Sequence, residues 1–312
     1  MKKYKICKIL LVILAIFLCV AFYELLGICV AYKKQPEVSN TTKKETKNGS
    51  WNECSENTER AVIIEKNPEA LLQRVRLIKN AKKEIILSTF AFQSDESGKL
   101  ILGALHDAAD RGVHIRLLVD GMESWIDMEG NPYFYGLSSH ENVEIKLYNK
   151  ANPLKPWKMM GRMHDKYLIA DGKRYILGGR NTYNYFLGDF PGHKNYDRDV
   201  LVVCDEPEKE NSVNQLLEYF ETIWEQEDSG YFHDNKKLAN RKSVKNAVLE
   251  LQNGYQKYFE ENKERICDTD YTDETFETEK IALVSNPIHT GSKEPVVWYQ
   301  LGELMKNAKN RV

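Results

Sequence analysis

The stretch Arg162-Met163-His164-Asp165-Lys166-Tyr167-Leu168-Ile169-Ala170-Asp171, followed by Gly178-Gly179-Arg180-Asn181, decides the reading of this 312-residue chain. Reduced to spacing it is His-x-Lys-x4-Asp-x6-Gly-Gly-x-Asn. Residues 166–170 and 175–177 are β-prone and flank a turn at Gly172, which predicts two short strands. Positions i and i+2 of a strand share a face, so His164 and Lys166 are expected to project together. Gly178 and Gly179 let backbone approach a ligand closely, and Asn181 adds an amide donor. The pattern predicts an anion site that holds a nucleophile. A neutral imidazole can attack phosphorus while Lys166, Gly179 and Asn181 bind the phosphate oxygens.

Working outward, residues 84–92 and 114–119 read as buried strands. Between them Leu102, Leu105 and Ala109 repeat at helical steps, opened by Ser97-Gly98 and closed by Gly112. Asn67-Pro68-Glu69 starts an earlier helix, with Leu71, Val75, Ile78 and Ala81 on one face. Strands over 143–148 and 200–204 and a helix over 208–227 complete the set. Strand–helix–strand order predicts an α/β fold, a mixed sheet flanked by helices. Residues 233–265 read as an exposed charged helix. Residues 268–279 carry Asp268, Asp270, Asp273, Glu274, Glu277 and Glu279 and no base, and read as a solvated linker.

Lysines and arginines number 44 against 46 acids, a net charge of −2. Residues 1–34 hold six Lys and one Glu, so the rest of the chain carries 38 bases against 45 acids, or −7. An acidic body lacks the electrostatic footprint of a nucleic-acid binder, so no nucleic acid is expected as partner. The apolar run over residues 9–32, broken by Glu24, is about 36 Å long as a helix, enough to span a bilayer. It reads as a retained anchor rather than a cleaved signal peptide, because Cys29-Val30-Ala31 is a poor cleavage site. The basic leader favours an inside N-terminus and an extracytoplasmic body at the cell membrane. The expected plan is an anchor over 1–32, a polar tether over 33–60, a complete α/β half over 61–230, a charged helix and acidic linker over 231–280, and the start of a second half over 281–312. That last expectation rests on a repeat. Residues 281–284 resemble the strand at 85–88, and Leu301-Gly302-Glu303-Leu304 parallels Leu102-Gly103-Ala104-Leu105. Cys54 and Cys267 lie in polar surroundings and could pair in an exported body.

The His-Lys-Asp spacing resembles the phospholipase D superfamily. Its Arg-Met-His and Gly-Gly-Arg-Asn flanks look most like bacterial cardiolipin synthases, the cardiolipin synthase C branch above all. The resemblance covers residues 60–230, and weakly 281–312. It implies a phospholipase D-like fold and a phosphatidyltransferase that works through a phosphohistidine on His164. Lys166 and Asn181 would bind phosphate, and Asp171 would support the motif. A downstream carboxylate, Asp199 first and Asp197 second, would orient the imidazole. The substrate class would be phosphatidylglycerol or a similar phospholipid at a membrane. No cofactor or metal is implied, and no His/Cys or His/Glu cluster stands at metal-ligand spacing. The family's site needs two motifs, and the chain has one. His289 lacks the residues that should follow it. The second half of the site would come from a further C-terminal region, which the repeat favours, or from a homodimer partner. Hydrolysis by the same site (a phospholipase D or phosphodiesterase, including a nuclease) and a lipid-binding half without turnover are the rival expectations. Trp125, Tyr133, Phe134, Tyr135, Trp157, Met159 and Met160 are candidates for either an apolar approach to the site or the core.

Overall fold

A computed structural model describes residues 2–49, 59–204, 211–233, 235–279 and 281–309. The chain forms two compact units. One joins Met1–Asn48, Ala151–Arg162 and Val284–Val312, and the other joins Gly49–Lys150 to Met163–Leu283. The first opens with α1 (Lys2–Ala31) and α2 (Asn40–Asn48), so part of the expected tether is helical.

The second unit is built on a nine-stranded sheet. Its elements are β1 (Glu59–Ile64), α3 (Asn67–Asn80), β2 (Glu84–Thr89), α4 (Glu96–Asp110), β3 (His114–Asp120), α5 (Gly121–Asp127), α6 (Pro132–Ser138) and β4 (Val143–Tyr148). After residue 162 follow β5 (Tyr167–Ala170), β6 (Arg174–Gly178), β7 (Asp199–Cys204), α7 (Ser212–Trp224), β8 (Ser229–Tyr231), α8 (Lys242–Glu261), α9 (Lys263–Cys267) and β9 (Phe276–Glu277). The strand order is β8-β4-β3-β2-β5-β6-β7-β1-β9. β2, β3 and β4 run parallel, joined by helical crossovers, and the remaining pairings are antiparallel. This is the mixed α/β sheet flanked by helices that the sequence predicts. The central strands are continuous apolar runs because helices cover both faces. Ile85, Leu87, Ile115, Leu117 and Val119 are at most 3% exposed, and each such side chain contributes roughly 1.5–3 kcal/mol by burial. β5 and β6 form a hairpin turned by Asp171 and Gly172, with φ of 54° and 62°. Two consecutive left-handed residues match the twist of the flanking strands, which is why Asp-Gly stands there.

Three expectations are corrected. α8 is not a solvated face: Val244, Ala247, Leu251, Tyr255 and Phe259 bury one side of it in the core shared with α4 and α6. Its charges occupy the opposite side, so composition alone concealed an amphipathic helix. The acidic stretch after α9 is likewise no linker. It folds over α3, where buried Arg76 donates to the carbonyls of Asp268 and Asp270 and to the Glu274 carboxylate at 2.7–3.0 Å. The Arg76 guanidinium also stacks 3.9 Å from the Tyr271 ring centroid. Finally, residues 281–284 form no strand, whereas a helix, α10 (Val296–Asn307), does occupy the expected position and belongs to the first unit. Cys267 is exposed at the end of α9, and Cys54 lies outside the described residues.

Candidate active site

His164 and Lys166 lie in the extended lead into β5, Lys166 one residue and His164 three residues before the strand begins. The His164 ring is exposed, and its centroid stands 4.6 Å from that of Phe90 at an interplanar angle of 58°. Lys166 is 5% exposed, and its Nζ stands 5.2 Å from the same ring centre. Imidazole and ammonium therefore converge on one aromatic surface, as the two-residue period requires. Nζ donates to the His164 carbonyl at 2.6 Å, which fixes the lysine against the backbone of His164. Burial pulls the ammonium down from 10.5 to about 8, while Asp165 and Asp197 push it the other way.

Asn181 is buried just beyond β6, and its Oδ1 accepts from the Ala91 N–H at 3.1 Å. With the carbonyl so anchored, the amide NH2 is the end available to a ligand. The glycines serve a purpose that the sequence did not reveal. A Cβ on Gly178 would stand 2.1 Å from Oδ1 of Asp199, and one on Gly179 would stand 2.0 Å from Oδ2 of Asp197. Carboxylates fill the space where a ligand was expected. The Gly179 N–H points to the Arg198 carbonyl at 3.4 Å, so Gly179 is a spacer and its expected role as a phosphate donor is not what the hydrogen bonding shows.

Asp171 stands at the far end of β5, roughly 16 Å of strand from Lys166. Its carboxylate accepts from the backbone N–H groups of Lys82, Lys83 and Glu84 at 2.7–3.1 Å. It ties the hairpin turn to the start of β2, a supporting role. Asp199 is not joined to His164. It pairs with Gly178 in register and is fully enclosed between Arg74 and Arg180, at 2.9 and 3.2 Å. This corrects its expected role as the residue that orients the imidazole, because a carboxylate neutralised by two buried guanidinium groups supports the sheet. Asp197, the second candidate, acts electrostatically on Lys166 alongside the larger influence of Asp165.

Three contributors escaped the sequence reading. Phe90, just past the end of β2, supplies the surface on which His164 and Lys166 meet. Asp120 caps α5 through Oδ1, and its Oδ2 accepts from the Met163 N–H at 3.0 Å, which holds the backbone one residue before His164. Tyr219 of α7 donates to Asp165 at 2.7 Å between the two motif residues. A strand-end Asp before a glycine was the one available signal, and it reads equally as an N-cap. A hollow of about 450 Å³ opens elsewhere, lined by His106, Gly136, His140, Val244 and Val248 and by none of the site residues. Its two histidines both bond Asp110, at 3.0 and 3.2 Å. Among the described residues no group of three or more His, Cys, Asp or Glu side chains is placed to hold a metal ion.

The structure thus sets an exposed imidazole over a buried lysine at the centre of a mixed α/β sheet. Residues 74–224 match the family model described as "Cardiolipin synthase, PLD-like domain". An uncharacterized protein of Helicobacter pylori (strain J99) is 30% identical over 212 residues, 63% of this chain and 39% of that protein. Cardiolipin synthase C of Escherichia coli is 29% identical over 171 residues, 50% of this chain and 34% of the enzyme. The chain thus spans under two-fifths of the length of these relatives. A solved phosphatidylserine synthase of Haemophilus influenzae aligns over 79% of this chain and 52% of its own, with 16% identity and a TM-score of 0.46.

Proposed function

We propose that the chain is a membrane-anchored phosphatidyltransferase of the cardiolipin synthase type, with its catalytic body outside the cytoplasm. The observation that carries the reading is the convergence of His164 and Lys166 on Phe90. One imidazole nitrogen of His164 attacks phosphorus of phosphatidylglycerol. The N–P bond forms, the P–O bond to the glycerol headgroup breaks, and the departing alkoxide takes a proton from a second acid. Lys166 and Asn181 neutralise charge on the phosphoryl oxygens. The hydroxyl of a second lipid then attacks phosphorus, gives up its proton, and releases His164. The second acid–base group comes from another copy of the motif, either within one polypeptide or from a second chain. Support for the anchor is the apolar helix segment Lys5–Ala31, whose most apolar 18 residues have a mean hydropathy of 2.9.

Hydrolysis has one observation in its favour: the His164 ring is open to solvent. Product analysis separates the readings. The full chain, reconstituted in phosphatidylglycerol vesicles, should yield cardiolipin and free glycerol, and His164→Ala should abolish both. Phosphatidic acid without cardiolipin would replace transfer by hydrolysis. Vesicle binding with no product from folded protein would leave a lipid-binding half.

A further inference from the structure

The anchored reading has a geometric consequence for the segment just before the catalytic histidine. The side chains from Lys5 to Val20 of α1 are all exposed, whereas Ala21, Glu24, Gly27, Ile28 and Ala31 form a half-buried stripe. That stripe is packed by other parts of its own unit. A Cβ on Gly27 would stand 2.5 Å from Cγ of Pro156, so the helix is open at Gly27 to admit the proline. Tyr23 donates to the Leu154 carbonyl at 3.0 Å, and Ser292 donates to the Ala31 carbonyl at 3.1 Å.

Length decides where this packing lies. A hydrocarbon core of about 30 Å needs about 20 helical residues. The unpacked apolar stretch, residues 9–20, supplies roughly 18 Å. A span measured from Ile9 therefore ends near Ile28, about 7 Å beyond the level of Tyr23. The residues packed at Tyr23 and Gly27 cannot all stand in water if α1 crosses the bilayer.

The composition of the packed segment agrees. Ala151–Arg162 holds Lys155, Lys158 and Arg162 and no acid, within a chain whose remainder beyond residue 34 is acidic. Leu154, Trp157 and Met160 are 78%, 45% and 57% exposed. Apolar tips with basic stems are the pattern of a segment seated at the polar boundary of an anionic bilayer, where Trp is favoured and Lys and Arg reach phosphates.

We infer that residues 154–160 are a second membrane contact, immersed at the lipid interface beside the end of α1. The inference rests on the anchored reading and adds to it a named segment, a depth and a lipid charge. His164 lies four positions after Met160, and four residue steps extend at most about 14 Å. By chain length alone, the nucleophile is held near the level of phospholipid phosphates.

Depth-dependent quenching tests it in the full chain. All cysteines except buried Cys204 are replaced by alanine, and a bimane is attached in turn at Leu14→Cys, Leu154→Cys, Met160→Cys and Gln252→Cys. The vesicles are equal parts phosphatidylglycerol and phosphatidylcholine, with nitroxide at the headgroup, near the carbonyl end or near the methyl end of the acyl chain. The label at 14 should lose emission most to the methyl-end nitroxide. Labels at 154 and 160 should lose it to the two shallow nitroxides with a blue shift, and the label at 252 should be unaffected. Deep quenching at 14 without quenching at 154 and 160 would overturn the inference and leave the anchor intact. No quenching at 14 would remove both. Two reporters guard against one substitution disturbing the fold. Vesicles of phosphatidylcholine alone should weaken the signal at 154 and 160 and leave that at 14 unchanged, and an unchanged signal at all three would remove the assigned lipid charge.

Discussion

Replacing Lys166 by methionine should stabilise the fold while it destroys the site. The side chain is 5% exposed and its ammonium is drawn down from 10.5 to about 8, chiefly by burial. The folded state therefore bears a charge that the unfolded chain solvates better. A fall of that size corresponds to about 3 kcal/mol of unfavourable free energy when both states are protonated, below about pH 8. Between about 8 and 10.5 the folded protein releases the proton while the unfolded chain retains it, so stability rises with pH in this window. By pH 9.5 about 2 kcal/mol is recovered. Methionine has similar volume and no proton to lose, so the stability gap between Lys166→Met and the parent should narrow by about 2 kcal/mol from pH 7 to pH 9.5. The hydrogen bond from Nζ to the His164 carbonyl is available to ammonium and amine alike and cancels from this difference. Urea unfolding in detergent, followed by the fluorescence of buried Trp224, measures the gap at each pH. A gap that stays constant, or widens, with pH would refute the account of a desolvated lysine.

Two further outcomes follow from the carboxylates. Asp199→Ala leaves Arg74 and Arg180 as buried, unpaired cations and should cost about 3–5 kcal/mol in the same unfolding assay; a loss under about 1 kcal/mol would mean that the pair is not structural. Asp171→Ala strips the acceptor from three backbone N–H groups and places a Cβ-branchless but non-glycine residue at φ 54°, so it should cost about 2–3 kcal/mol. Hydrogen exchange at Lys82–Glu84 should accelerate accordingly, and Asp171→Asn, which tolerates that φ and keeps one acceptor oxygen, should lose less than half as much. Unchanged exchange in the alanine variant would contradict the bridging role.

The central strands and the motif were legible because each is local. Apolar runs set β2 and β3, and a spacing of two set His164 beside Lys166. What remained hidden depends on partners distant in sequence. Phe90 reaches His164 from 74 positions upstream, and Arg76 draws in the acidic stretch from about 190 positions away. Asp197 and Asp199 share one strand period, so composition could not rank them. Register does: Gly178 lies opposite Asp199, and that pairing seats the carboxylate among arginines. Local composition also made α8 look solvated, since its charges outnumber the five side chains that bury it.

The clasp around Arg76 limits how this domain can be cut or shuffled. The family match ends at residue 224, yet the guanidinium buried in α3 finds its acceptors at 268–274. A cassette that ended at the family boundary would inherit an orphaned cation and a bared apolar flank where α8 had lain. Any exchange of this module between proteins therefore has to carry the downstream helices with it, or evolve a new cover for both.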